Sequence, residues 1–117
     1  MNKNRLVIVD DETDMRNGLQ RLISREFPGL QVVALADAES AISYFAKESA
    51  DLALLDIKMP GMNGLELLQH LIGKDPWLTA VMMTGYGSIE VAVEAIKLGA
   101  YDFITKPFDK ELICRTL

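Results

Sequence analysis

The sequence predicts a doubly wound α/β domain, with one five-stranded parallel sheet and helices on both faces. Three observations predict it. Short apolar runs alternate with longer stretches of helical period, five times along the chain. The runs are apolar throughout rather than alternating, so each strand needs cover on both faces, the condition of a parallel sheet inside a helical shell. The linkers are only a few residues long, and right-handed crossovers then wind the helices onto the two faces.

Leu6-Val7-Ile8-Val9 is a buried strand, ended by Asp10 and Asp11. From Thr13 to Phe27 the apolar residues Met15, Leu19, Leu22 and Ile23 recur at three and four residues, the stripe of an amphipathic helix. Pro28-Gly29 stops it. Leu30 to Leu35 makes a second strand, and a helix follows from about Ala38 to Lys47 with Ala41, Ile42 and Phe45 inward. Leu52-Ala53-Leu54-Leu55 is the third strand, again ending in an aspartate, Asp56. Pro60-Gly61 marks a loop, Asn63 caps a helix through about Ile72, and Gly73 to Pro76 breaks it. Ala80-Val81-Met82-Met83 gives strand four, Ile89 to Leu98 helix four and Tyr101 to Thr105 strand five. Asp109 caps a fifth helix, which is cut at Leu117 after about two turns without a capping signal.

Composition sets bounds on function. A length of 117 residues, half of them hydrophobic, fits one domain with a core that needs no staples. The net charge of −5 argues against non-specific nucleic-acid binding. The single cysteine, Cys114, excludes an intrachain disulfide and fits a reducing cytosol. The opening apolar run is too short for a signal peptide or a membrane span, so a cytoplasmic location is expected.

In a sheet of this kind, ligands bind beyond the carboxyl ends of the strands. Strand one delivers Asp10 and Asp11 there, strand three Asp56, strand four Thr84-Gly85 and strand five Lys106-Pro107. Strand two delivers only Ala36 and Asp37. Two unit charges at 4 Å repel by about 4 kcal/mol at an effective dielectric near 20. A hard divalent cation bound through oxygen is the best neutraliser. Magnesium takes one or two carboxylates and keeps positions open for water and phosphate oxygens. The third carboxylate is then free to act as a nucleophile toward phosphorus. Lys106, the Thr84 hydroxyl and the Gly85 amide supply donors for phosphoryl oxygens.

With these residues in place the chain resembles the receiver domains of two-component response regulators. The resemblance is carried by Val9-Asp10-Asp11-Glu12, by Leu55-Asp56-Ile57-Lys58-Met59-Pro60-Gly61-Met62-Asn63-Gly64, by Met83-Thr84-Gly85 and by Thr105-Lys106-Pro107-Phe108. It covers essentially the whole chain, each motif in order and at a strand end. The stretch from Gly85 through Asp109 is most like receivers attached to sigma-54-dependent, NtrC-type transcriptional activators. The resemblance implies a flavodoxin-like sheet of strand order 2-1-3-4-5. It implies that Asp56 is the phosphoacceptor, charged by the phosphohistidine of a sensor histidine kinase. Asp10, Asp11, a carboxylate oxygen of Asp56 and the backbone carbonyl of Lys58 would hold magnesium. Thr84 would bond one phosphoryl oxygen and Lys106 another, with Phe103 as the switch aromatic. In the family the bond joining Lys106 to Pro107 is usually cis, which would aim the lysine. Asn63 stands where aspartate is more frequent and serves equally as a cap. Lys58 and Tyr86 occupy positions that tune phosphoryl lifetime.

Each residue also has a bland reading, since acids after a strand are often a solvated helix N-terminus. Four strand ends carrying complementary groups together tell against it. An alternative is a magnesium-dependent phosphohydrolase, but such enzymes place a second aspartate two residues after the nucleophile, where this chain has Lys58. A receiver-like module that is never phosphorylated usually lacks one of the acids, and here none is missing. A signalling switch that takes part in its own phosphorylation and dephosphorylation is therefore expected, rather than a turnover enzyme.

For the remaining residues the bland reading is preferred: His70 at the surface, Cys114 packing, Trp77 covering the edge of the core, and Met59, Met62, Met82 and Met83 as loop and core filler. Ile89, Val91, Val93 and Ile96 give helix four more apolar residues than one buried stripe requires. In the family the face of helix four, strand five and helix five mediates dimerisation, so a homodimer is expected. Receivers usually finish the fifth helix, so residues 1–117 are expected to be the receiver of a longer regulator whose own output domain is a further partner.

Overall fold

Unbroken runs of valine, isoleucine and leucine make strands that bury both faces, and they do so here. β1 (Arg5–Val9), β2 (Gln31–Leu35), β3 (Leu52–Asp56), β4 (Thr79–Thr84) and β5 (Asp102–Thr105) pair in parallel in the order β2-β1-β3-β4-β5. The structure, a computed structural model, describes residues 4–59, 61–84 and 89–105. The expected fifth helix, Cys114, Gly85, Tyr86 and Lys106 lie outside the described residues.

Successive residues of a strand point to opposite faces, and the core divides accordingly. Val7, Val9, Ala53, Leu55, Ala80 and Met82 meet the buried faces of α2 (Ala38–Lys47), α3 (Gly64–Lys74) and α4 (Ile89–Lys97). Leu6, Ile8, Leu54, Val81, Met83 and Ile104 meet Leu19 and Ile23 of α1 (Thr13–Glu26) on the other side. The fully buried Leu54 and Leu67 each contribute about 1.5–3 kcal/mol through apolar burial. Strand order explains the gradient of burial: the inner strands β1, β3 and β4 are almost wholly buried, whereas the edge strand β2 is exposed to half-buried along its length.

Helix boundaries follow local chemistry. Asp37 caps α2 by accepting the Ser40 N–H at 2.7 Å. That bond holds its carboxyl below the ordinary carboxylate value. The cap therefore stabilises α2 at neutral pH and is lost only as pH falls through the acid range. Asn63 begins α3 with a reciprocal pair: its side chain accepts the Glu66 N–H at 3.0 Å, and Glu66 accepts the Asn63 N–H at 3.2 Å. Asn63→Ala is expected to cost about 1 kcal/mol, read as a lower urea midpoint. An unchanged midpoint would show that the cap adds nothing.

Two expectations are corrected. α3 runs through Gly73 to Lys74, because the stop is set by Asp75, whose conformation the following Pro76 restricts away from helix. Trp77 does not cover the core; it is 91% exposed. The Asp75 carboxylate accepts the Trp77 N–H at 3.1 Å, a tight turn that turns the indole outward while the next residue, Leu78, enters the core. His70 is exposed, as expected, and Met59, Met82 and Met83 are buried. No helix among the described residues is long and apolar enough to cross a membrane.

Candidate functional site

The parallel register sets the polar strand ends side by side. Val9 pairs with Leu55, Asp56 with Met83, and Thr84 with Thr105. The residue after Val9 is thus level with Asp56. Because β1 leads away toward β2 and β3 toward β4, the two acids flank the point where the sheet reverses its winding, where doubly wound sheets open their crevice.

Asp10, Asp11 and Asp56 come together as expected, each with a carboxylate oxygen within 4.8 Å of the others. Their surroundings differ. Asp10 is fully buried and Asp56 nearly so, whereas Asp11 is exposed. Asp10 is fixed on three sides: its N–H donates to the Leu35 carbonyl at 3.1 Å, its Oδ1 accepts the Glu12 N–H at 2.9 Å, and its carbonyl accepts from Arg16 Nη1 at 2.7 Å. Asp56 Oδ1 accepts the Lys58 N–H at 3.3 Å, and the Lys58 side chain is exposed.

The end of β3 is clamped between its neighbours. Ile57 donates its N–H to the Met83 carbonyl at 3.1 Å and accepts the Gly64 N–H at 2.9 Å. Gly64 is the first residue of α3, and a β-carbon there would fall on the Asp56 carbonyl oxygen and 2.7 Å from Ile57 Cα. Only glycine permits this approach.

Thr84 closes β4 with its hydroxyl buried and without a hydrogen-bond partner among the described residues. A buried hydroxyl left unpaired is costly, and such groups call for an explanation such as a ligand that bonds it. Phe103, in β5 opposite Met82, is half-buried against the cluster that contains α3 and α4. Lys106 lies outside the described residues.

The structure adds two residues for which the sequence offered no role. Arg16 looks like a solvated helix charge, yet it reaches back to the Asp10 carbonyl. Its one signal is position: a cation at the fourth residue of α1 stands where the helix dipole disfavours it. Gly64 carries no signal beyond its motif, since its role depends on a contact with β3.

Three hard oxygen donors at one point form a site able to hold a cation, at the carboxyl edge of a sheet of order 2-1-3-4-5. This combination defines the class: a flavodoxin-like domain with an acidic pocket. The chain belongs to the response regulator receiver domain family, which it matches over residues 6–117. It is a signalling-switch family rather than one of turnover enzymes.

The C4-dicarboxylate transport transcriptional regulatory protein DctD of Rhizobium meliloti (strain 1021) is 41% identical over 101 residues, covering 86% of this chain and 22% of that protein. The DNA-binding transcriptional regulator NtrC of Proteus hauseri is 37% identical over 109 residues, covering 93% of this chain and 23% of that protein. The NtrC-type resemblance is thus borne out, and the chain spans less than a quarter of the length of either relative. The crystal structure of the receiver domain of NtrX from Brucella abortus superposes with a TM-score of 0.89 at 38% identity, covering 95% of this chain and 92% of that one.

Proposed function

We propose that this domain is the phosphoacceptor of a two-component pathway, with Asp56 receiving a phosphoryl group from the phosphohistidine of a sensor histidine kinase. One observation carries the reading: three carboxylates converge at the strand edge that also carries the Thr84 hydroxyl, buried and without a hydrogen-bond partner among the described residues. A phosphoryl oxygen on Asp56 would give that hydroxyl an acceptor.

Asp56 supplies the carboxylate oxygen that bonds to phosphorus as the phosphorus–nitrogen bond breaks and the imidazole leaves with its electron pair. The Lys58 N–H holds the other carboxylate oxygen, so one oxygen is oriented while its partner attacks. The donor set fits magnesium, which would be held by Asp10, Asp11, Asp56 and the Lys58 backbone carbonyl. When bound, it supplies the positive charge that offsets the carboxylates and the phosphoryl oxygens. Thr84 then donates to one phosphoryl oxygen and Lys106 pairs with another.

Phosphorylation adds about 1.5 to 2 negative charges. Moving a switch from 1:99 to 99:1 takes about 5.5 kcal/mol of preference for the active form. Bonds from Thr84 and Lys106 made only in that form are of the strength required. Thr84 moves toward the phosphoryl group, and Phe103, joined through the β4–β5 pairing, turns inward after it. The same site sets the return, so the domain takes part in its own phosphorylation and dephosphorylation.

Val93, Ile96 and Tyr101, exposed by 45%, 40% and 68%, support a homodimer through α4, β5 and the fifth helix expected from the sequence. The output is transcriptional, in keeping with the relatives' names, and is exerted by an output domain of the longer regulator of which residues 1–117 are the receiver. The domain itself contacts neither nucleic acid nor membrane and works in the cytoplasm. A phosphohydrolase would need an acid two residues after Asp56, where Lys58 stands.

Incubation with magnesium and acetyl phosphate is expected to add one phosphoryl mass, found in the peptide that contains Asp56. No added mass, or a mass that maps elsewhere, would sink the assignment. Rapid release of many phosphates per molecule would favour the hydrolase.

A further inference from the structure

We infer that Arg16 is a positioning residue for the proposed magnesium site, acting on Asp11 through the peptide bond that joins it to Asp10. The inference rests on the magnesium reading above. A peptide unit is planar, so the Asp10 carbonyl and the Asp11 Cα move as one rigid piece. Asp10 N–H is fixed by the Leu35 carbonyl and its side chain by the Glu12 N–H. The second bond closes a turn that already includes the peptide between Asp10 and Asp11. Arg16 Nη1 adds a second hold on that peptide by gripping its carbonyl at 2.7 Å, the short length of a charge-assisted bond.

Asp11 depends on this plane. It is exposed and makes no hydrogen bond or ion pair among the described residues, so no side-chain partner there helps its backbone to aim its carboxylate. Arg16 itself sits at a poor place for a cation, near the start of α1, and ordering its long side chain costs rotamer freedom. A grip on the acid pair offsets both.

Simple electrostatics predicts the opposite sign. If Arg16 were only a rival cation beside the acids, removing it would tighten magnesium binding. As a clamp, its removal loosens Asp11 and weakens binding. Calorimetric titration of the chain with magnesium chloride at constant ionic strength separates the two. Arg16→Ala is expected to weaken binding about tenfold or more, within the range found for groups that orient metal ligands. Arg16→Lys, which returns the charge and a donor, is expected to recover part of the loss. Affinity equal to or tighter than wild type in a folded Arg16→Ala domain overturns the inference. If that variant does not fold, Arg16→Gln carries the same test: weaker binding is expected, and equal or tighter binding overturns it. The underlying reading fails separately, if wild type itself binds no magnesium or Asp11→Ala binds it unchanged.

Discussion

Asp56→Asn is expected to take up no phosphoryl group and, in magnesium-free buffer, to be more stable than wild type. The first effect follows from chemistry: an amide oxygen is a far weaker nucleophile than a carboxylate. The second follows from charge. Asp56 stands with Asp10 and Asp11 inside a 4.8 Å cluster, and unit charges at that spacing repel by about 3–4 kcal/mol per pair at an effective dielectric near 20. Solvent around the exposed Asp11 reduces this, leaving an expected gain of about 1–3 kcal/mol. Asparagine keeps an oxygen for the Lys58 N–H, so that bond is retained.

Magnesium is expected to narrow or reverse this difference. A ligand that binds only the folded state at a hundred times its Kd stabilises by about 2.7 kcal/mol, and the variant, with one donor weakened, gains less. Thermal melts with and without magnesium test this directly. The two curves are expected to approach or cross on adding the ion. A variant less stable than wild type in both buffers would show that repulsion among the three acids is not a significant cost.

The parts of this site that could be read along the chain are those that backbone periodicity fixes. Each inner strand is an apolar run, and the first polar residue at its carboxyl end must emerge at the edge, so Asp10, Asp56 and Thr84 were legible. What was not legible depends on side chains crossing between elements. The sequence treats Asp10 and Asp11 alike, yet one is sealed by three hydrogen bonds and the other is exposed, because consecutive residues leave a strand in opposite directions. Arg16 reaches back six residues from α1, a distance at which no periodicity operates. Trp77 was misplaced because size argues for burial, whereas the Asp75 turn decides which of two neighbours enters the core. Local hydrogen bonding overruled hydrophobicity there.

Gly64→Ala is expected to destabilise the domain by about 1–3 kcal/mol net, although alanine is the better helix former. By propensity alone a helical glycine replaced by alanine gains about 0.5–1 kcal/mol. Gly18 in α1 and Gly73 in α3 have open space where a β-carbon would go, so Gly18→Ala and Gly73→Ala are expected to follow that rule. At Gly64 the new carbon meets the backbone of Asp56 and Ile57, with Ile57 Cα at 2.7 Å and the Asp56 carbonyl carbon at 2.9 Å. Backbone atoms cannot rotate away, so α3 and β3 must separate. Overpacking of this kind costs about 1–3 kcal/mol. Losing the bond from Gly64 N–H to the Ile57 carbonyl adds about 1 kcal/mol. The strand end that shifts is the one carrying Asp56 and Lys58, so magnesium affinity should fall in the same variant even where it remains folded. Urea unfolding of the three alanine variants checks the sign at each site. A Gly64→Ala midpoint above wild type, alongside Gly73→Ala, would mean that β3 yields to the added methyl and that the close approach of α3 does not hold Asp56 in place.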